Sequence, residues 1–238
     1  MLDLSLIPKQ APEYDLALLL EAGCHFGHQR HKWHPKMAEY IYMEKDGVHI
    51  FDLAKTAAQL QDAYNYVYQL GKTGKSLVFV GTKRSIRDVV KTAAVESGAM
   101  FITSRWLGGL LTNWDQVKLS LKRMVFLEEG LKNDSFKGYT KFERMQFEKE
   151  LGRLIRFFDG VRSLKDKPDC LFVVDPAREK NAVSEATKVG VPVIGLADSN
   201  SDPTPLSIAI PANDDAVKSV ELITAEIAKA YLAGKAAA

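Results

Sequence analysis

The chain has 238 residues, of which 46% are hydrophobic and 26% charged, enough apolar material to bury a full core in one large domain or a domain carrying an insertion. No stretch approaches the roughly 20 apolar residues of a membrane-spanning helix, and MLDLSLIPKQ lacks the basic segment and long apolar run of a secretory signal, so a cytoplasmic protein without a membrane partner is expected. The net charge of +2 is unevenly spread: residues 169–238 hold ten acidic and six basic side chains (−4), which leaves +6 on residues 1–168 and suits a polyanionic partner on one side of the molecule.

Residues 14–22 (YDLALLLEA) have the spacing of a short amphipathic helix, stopped by Gly23. The stretch CHFGHQRHKWHPK (24–36) is expected to be loop, because Gly23, Gly27 and Pro35 oppose a continuous helix. YIYM and VHIF flank EKDG, an Asp-Gly turn that predicts a β-hairpin over 40–51. Asp52 can cap the next helix, whose apolar residues Leu60, Tyr64, Val67 and Leu70 run to a stop near Gly71.

An alternation of strands and helices follows. SLVFV (76–80) carries a continuous apolar run after Ser76, fit for a strand buried on both faces; residues 85–97 are helical, and AMFIT (99–103) is a second strand. Residues 114–131 and 140–158 then form two long helices with charged outer faces, joined by the polar KNDSFKG: an antiparallel helical hairpin inserted in the α/β unit. CLFVVD (170–175), a helix over 178–189, VPVIGLAD (191–198), LSIAI (206–210) and a final helix opened by Asn213, with Asp214 and Asp215 in its first turn, complete the pattern. The expectation is a parallel sheet with helices on both faces, with residues 1–104 and 160–238 as the globular domain and 105–159 as the insertion.

Four of the five histidines (His25, His28, His31, His34) lie in the 24–36 stretch. Cys24, His28 and His31 would share a face of a helix and could hold a metal, but the glycines and proline oppose that helix, and only His49 and Cys170 remain elsewhere to complete a zinc pattern. Two cysteines so far apart also speak against a disulfide framework. An anion-binding surface accounts for more of the stretch: no acid occurs between Glu21 and Glu39, Arg30, Lys32 and Lys36 supply permanent charge, and Phe26 and Trp33 offer faces that can either stack on unpaired bases or pack into the core.

GTKR (81–84) sits at the carboxyl end of a predicted parallel strand and opens a helix, where open α/β sheets bind ligands. It is neither GxGxxG nor a P-loop, so a nucleotide enzyme would lack its cradle; Lys83, Arg84 and Arg87, with Asp88 as the single nearby acid, can face phosphates instead. In SRWLGGLLTNW (104–114), Arg105 and Asn113 are the polar candidates for RNA contact and the Gly-Gly pair permits close backbone approach. Asp198, Asp202, Asp214 and Asp215 could converge on a divalent cation, yet turn formation and helix capping account for all four, so no metal is assigned. No catalytic constellation can be drawn, and no cofactor is implied.

AGCHFGHQ, WHPKM, FVGTKR, RWLGGLLTNW, PDCLFVVDP, DSNSDP and IPANDDA occur in the order and approximate spacing of the bacterial small-subunit ribosomal protein two family, and the chain resembles it from about residue 16 to near residue 230. The resemblance implies a Rossmann-like (flavodoxin-like) α/β fold with an inserted α-helical coiled-coil hairpin. It implies a structural role and no catalysis: binding small-subunit ribosomal RNA between head and body, contacting neighbouring small-subunit proteins, and helping to dock the large first protein that captures messenger RNA. By motif, His25, Phe26, Gly27 and His28 match HFGH, Trp33, Pro35, Lys36 and Met37 match WxPKM, residues 81–84 match GTKR, and residues 105–113 match the junction. Cys24, His31, His34 and the lack of a long acidic tail depart from the family pattern, and the extra histidines leave a minor metal site open beside the alternative of a nucleotide-binding α/β enzyme.

Overall fold

The computed structural model describes residues 7–133 and 135–238. In chain order, α1 (Leu16–Glu21) leads into β1 (Phe26–Gln29), two 3-10 turns (Arg30–Lys32 and Pro35–Tyr40), and the hairpin β2 (Ile41–Lys45) and β3 (Val48–Phe51). The three strands form an antiparallel sheet in the order β1-β3-β2. The Asp-Gly turn is as expected, with Asp46 and Gly47 both at positive φ (52° and 75°), the conformation a two-residue hairpin turn demands. The histidine stretch departs from expectation: its first half is a strand, because Phe26 and Gln29 find pairing partners in Ile50 and Val48. A four-residue segment containing glycine carries too little periodicity to announce this.

Next come α2 (Leu53–Lys72), β4 (Leu77–Val80), α3 (Arg87–Glu96), β5 (Met100–Ile102), the hairpin helices α4 (Trp114–Lys132) and α5 (Lys141–Phe158), β6 (Cys170–Val174), α6 (Lys180–Val189), β7 (Val193–Ala197), β8 (Ile208–Pro211) and α7 (Val217–Ala236). The five strands β4 to β8 form an all-parallel sheet in the order β5-β4-β6-β7-β8, the doubly wound arrangement whose switch point lies between β4 and β6. Strand alternation divides two cores. Leu77, Phe79, Cys170 and Phe172 face α2, α3 and α7, while Val78, Val80, Leu171 and Val173 face α6 and the base of the hairpin helices. Cys24 and Cys170 are buried free thiols.

Helices α2 and α7 cross at glycine on both sides. A Cβ on Gly71 would lie 2.5 Å from the Tyr231 carbonyl oxygen, and one on Gly234 would run into that of Tyr68. The insertion is rooted in the second core through Trp114, Val117, Leu121, Met124 and Phe158. Farther out, Arg123 pairs with Glu150 at 2.9 Å, and Phe126, Phe136, Tyr139 and Phe147 form an aromatic cluster between the helices. Helix α5 opens on a capping box, Thr140 with Glu143.

Two starts differ from the periodicity by a couple of residues, α3 at Arg87 and α6 at Lys180. A larger difference is the last helix, which begins at Val217 and not at Asn213. The Asn213 side chain accepts the amides of Asp215 and Ala216, so it closes a turn ahead of the helix and leaves Asp214 pointing inward. Among the described residues no helix is long and apolar enough to cross a membrane.

Candidate nucleic-acid interface

The carboxyl edge of the parallel sheet is where β4 delivers GTKR, β6 delivers Asp175, β7 delivers Asp198 and β8 leads to Asp214. The small antiparallel sheet lies against this edge. The His28 amide donates to Asp198 Oδ1 (3.0 Å) and Ser199 Oγ (2.9 Å), and the His34 amide donates to the Ser199 carbonyl (2.7 Å). Motifs some 170 residues apart in sequence therefore form one surface.

The edge has an inner and an outer layer of charge. In the inner layer, His28 Nδ1 is 3.0 Å from Asp198 Oδ2, and its Nε2 is 3.2 Å from the Asn200 amide nitrogen. The hydrogen bond to Asp198 raises the His28 pKa above its ordinary value despite partial burial. Lys83 pairs with Asp215 and approaches Asp214 Oδ1 to 3.8 Å. Asp214 is 1% exposed, and its oxygens accept no hydrogen bond among the described residues. Burial, reinforced by the neighbouring Asp175 and Asp198, pushes its pKa up to about 7.

Two expectations are corrected here. Lys83 does not stand with Asp88 as its only acid: its ammonium is committed to Asp214 and Asp215, and Asp88 pairs with Arg87 at 3.7 Å. Turn formation explains Asp202, which accepts the Thr204 amide (3.0 Å), but neither turn nor cap explains Asp214, whose carboxylate receives no donor.

The outer layer keeps most of the expected residues. Arg30, Lys32, Lys36, Arg84 and Arg87 are exposed. Arg30 meets Glu44 at 3.5 Å and Lys36 meets Asp202 at 3.5 Å, surface pairs that a phosphate can replace at little cost. Phe26 is 49% and Trp33 39% exposed, so both present ring surface; Trp33 also rests on His49 (5.3 Å between centroids). His25 stacks beside Phe26 at 3.9 Å, and burial lowers its pKa, so it adds shape and no charge near neutral pH. Arg105 and Asn113 are exposed but follow the edge strand β5, on the flank away from the histidine segment.

One organiser escaped the sequence reading. Glu185, on α6 and 8% exposed, accepts from the Trp106 indole N–H and the Gly109 amide through Oε1 (3.1 and 2.8 Å), and from the Leu111 and Thr112 amides and the Thr112 hydroxyl through Oε2 (3.0, 3.2 and 3.1 Å). Burial opposes its charge, but these donors outweigh it and hold the carboxyl below its usual value. The WLGGLLT segment is thus wrapped around one carboxylate, which aims the start of the hairpin. A lone acid in a helix of ordinary composition carries no local signal of that role.

The family model described as ribosomal protein S2 matches residues 19–234. The chain belongs to the ribosomal protein S2 family. A curated relative, the small ribosomal subunit protein uS2 of Dictyoglomus thermophilum (strain ATCC 35947 / DSM 3960 / H-6-12), is 46% identical over 217 residues, covering 91% of this chain and 88% of the relative. The S2 match includes both layers of the carboxyl edge and the whole helical hairpin.

Proposed function

We propose that this chain is a structural, non-enzymatic constituent of the small ribosomal subunit that holds small-subunit ribosomal RNA against the carboxyl edge of its sheet, in the cytoplasm. The observation that carries the reading is the ribosomal protein S2 match over residues 19–234, the span that contains every cation of the outer layer. Arg30, Lys32, Lys36, Arg84, Arg87 and Arg105 meet phosphates, while Phe26 and Trp33 offer stacking faces to unpaired bases. Lys83 and His28 act one layer below, fixing the loops that carry these groups. The protein sits between head and body, and its insertion reaches neighbouring small-subunit proteins and helps dock the large first protein that captures messenger RNA.

The competing nucleotide-enzyme reading fails on electrostatics. The carboxyl edge that would receive phosphate carries Asp175, Asp198 and Asp214 in the segments after β6, β7 and β8, and their negative charge opposes it. Gly81 serves close packing: a Cβ there would lie 2.9 Å from Val90 Cγ2 on α3. The deciding experiment is a sucrose gradient of tagged protein in cells. Co-migration with small subunits, lost when Arg84 and Arg87 are both changed to Glu, is expected; migration at the top of the gradient would overturn the proposal.

A further inference from the structure

The hairpin of the small antiparallel sheet and the segment before it enclose a hollow of about 410 Å3, bordered by Arg30, Trp33, Ile41, Met43, Glu44 and His49. Glu44 and His49 are cross-strand partners on β2 and β3, so their side chains share one face of the hairpin. Trp33 packs on His49, the two rings 5.3 Å apart and tilted by 49°. His49 is 6% exposed, and its Nδ1 has no hydrogen-bond partner among the described residues, a polar atom left incomplete beside the hollow. Arg30 and Trp33 also border a second hollow of about 590 Å3, which leaves room for a neighbouring nucleotide.

A site for phosphate alone does not account for this mixture. An aromatic face kept at the surface takes a base, since every base can stack on it. Glu44 is the discriminating group: beside Arg30 it repels phosphate and accepts only from N–H or O–H donors. Of the four RNA bases, guanine alone presents two adjacent donors, N1–H and N2–H, on its Watson–Crick edge. Adenine and cytosine present one amino group beside an unprotonated ring nitrogen, which a carboxylate repels, and uracil presents one N–H between two carbonyls. Arg30 Nη1 stands 3.5 Å from Glu44 Oε2, so a cation and a carboxylate lie side by side. That order matches the guanine edge, where the acceptor O6 adjoins the two donors. The Arg30–Glu44 pair is exposed, so opening it to admit a base costs little.

We propose that this hollow binds one unpaired guanine of the small-subunit RNA. The base stacks on Trp33, donates N1–H and N2–H to Glu44, and accepts from Arg30 at O6. The site rests on the reading that the outer layer faces ribosomal RNA. His49 holds the indole at its angle, and the remaining N–H groups of Arg30 stay available to the adjoining phosphate. A basic surface that is otherwise blind to sequence thereby gains one point of base recognition.

The test uses small subunits purified from cells in which the tagged chain, wild-type or variant, is the only copy. They are probed with kethoxal, a dicarbonyl that adds across N1 and N2 of unpaired guanines. Expected is one guanine, shielded in wild-type particles, whose reactivity rises about 5-fold or more with Trp33→Ala and with Glu44→Gln, while both variants still sediment with small subunits. Glu44→Gln changes an exposed side chain, so it reads the site even where Trp33→Ala lowers incorporation. Lys45→Gln, on the same hairpin but outside the hollow, keeps the wild-type pattern. Wild-type guanine reactivities in particles carrying the Trp33 and Glu44 variants, the result if a neighbouring protein fills the hollow, would overturn the guanine site. Exposure of the same guanine by Lys45→Gln would do so too. A wild-type chain that stays at the top of the gradient would instead overturn the ribosomal reading itself.

Discussion

Glu185→Gln isolates the one buried carboxylate on which the WLGGLLT segment converges. The native carboxylate accepts five hydrogen bonds, two at Oε1 and three at Oε2. Glutamine keeps one oxygen, and its best orientation turns that oxygen toward Leu111 and Thr112. Its NH2 group then opposes the Trp106 indole N–H and the Gly109 amide, two donors that lose their acceptor inside the protein. Each orphaned donor costs about 1–3 kcal/mol, and the three surviving bonds lose their charge assistance. The sum is about 3–5 kcal/mol, a large share of the roughly 5–15 kcal/mol that holds a domain folded. Urea unfolding at neutral pH, followed by tryptophan fluorescence and circular dichroism, should show the midpoint falling accordingly. Because the folded-state pKa of Glu185 is depressed, its stabilisation is fully present above the ordinary value of 4.5 and is lost as pH falls through the folded value. The wild-type advantage over the variant should therefore shrink in acid. A variant within about 1 kcal/mol of wild type at neutral pH, with unchanged denaturant sensitivity, would refute the reasoning.

Gly234→Ala forces a methyl group against the Tyr68 carbonyl where α7 crosses α2, and should cost about 1–3 kcal/mol in urea unfolding, against near neutrality for Gly152→Ala, where a Cβ meets nothing within 4 Å. The raised pKa of Asp214, about 7, means that the folded state holds this proton more tightly than the unfolded chain. Stability should fall as pH rises from the ordinary carboxylate range to about 7 and level off above it, by on the order of a few kcal/mol, and Asp214→Asn should flatten that slope. Replacing Arg84 and Arg87 by Ala should lower affinity for small-subunit RNA and reduce the magnitude of the log–log salt slope by about 2, read by filter binding across a salt series. Lys83→Ala should leave that slope nearly unchanged, since its charge faces Asp214 and Asp215.

The legible parts of this protein are those whose cause is local. LVFV, CLFVV and VIGLA announce buried parallel strands because no polar side chain interrupts them, and Asp46-Gly47 announces a hairpin because few other pairs tolerate its backbone angles. The hairpin helices follow from their own periodicity. The exposed cations of the histidine stretch and of GTKR were also readable, because charge on a surface loop needs no partner to be recognised. Strand β1 was not, since its pairing depends on Ile50 and Val48 across a turn-rich stretch.

Composition and periodicity alone determined a parallel sheet with helices on both faces, two long charged helices between its strands and a basic first two-thirds, for those properties are summed residue by residue along the chain. Tertiary structure alone decided which charges face outward and which are spent inside. His28 meets Asp198, Lys83 meets Asp215, and Glu185 meets Gly109 only after the sheet has brought them together across 76 to 170 positions of sequence. A side chain's charge is a local property, but its partner is a consequence of the fold.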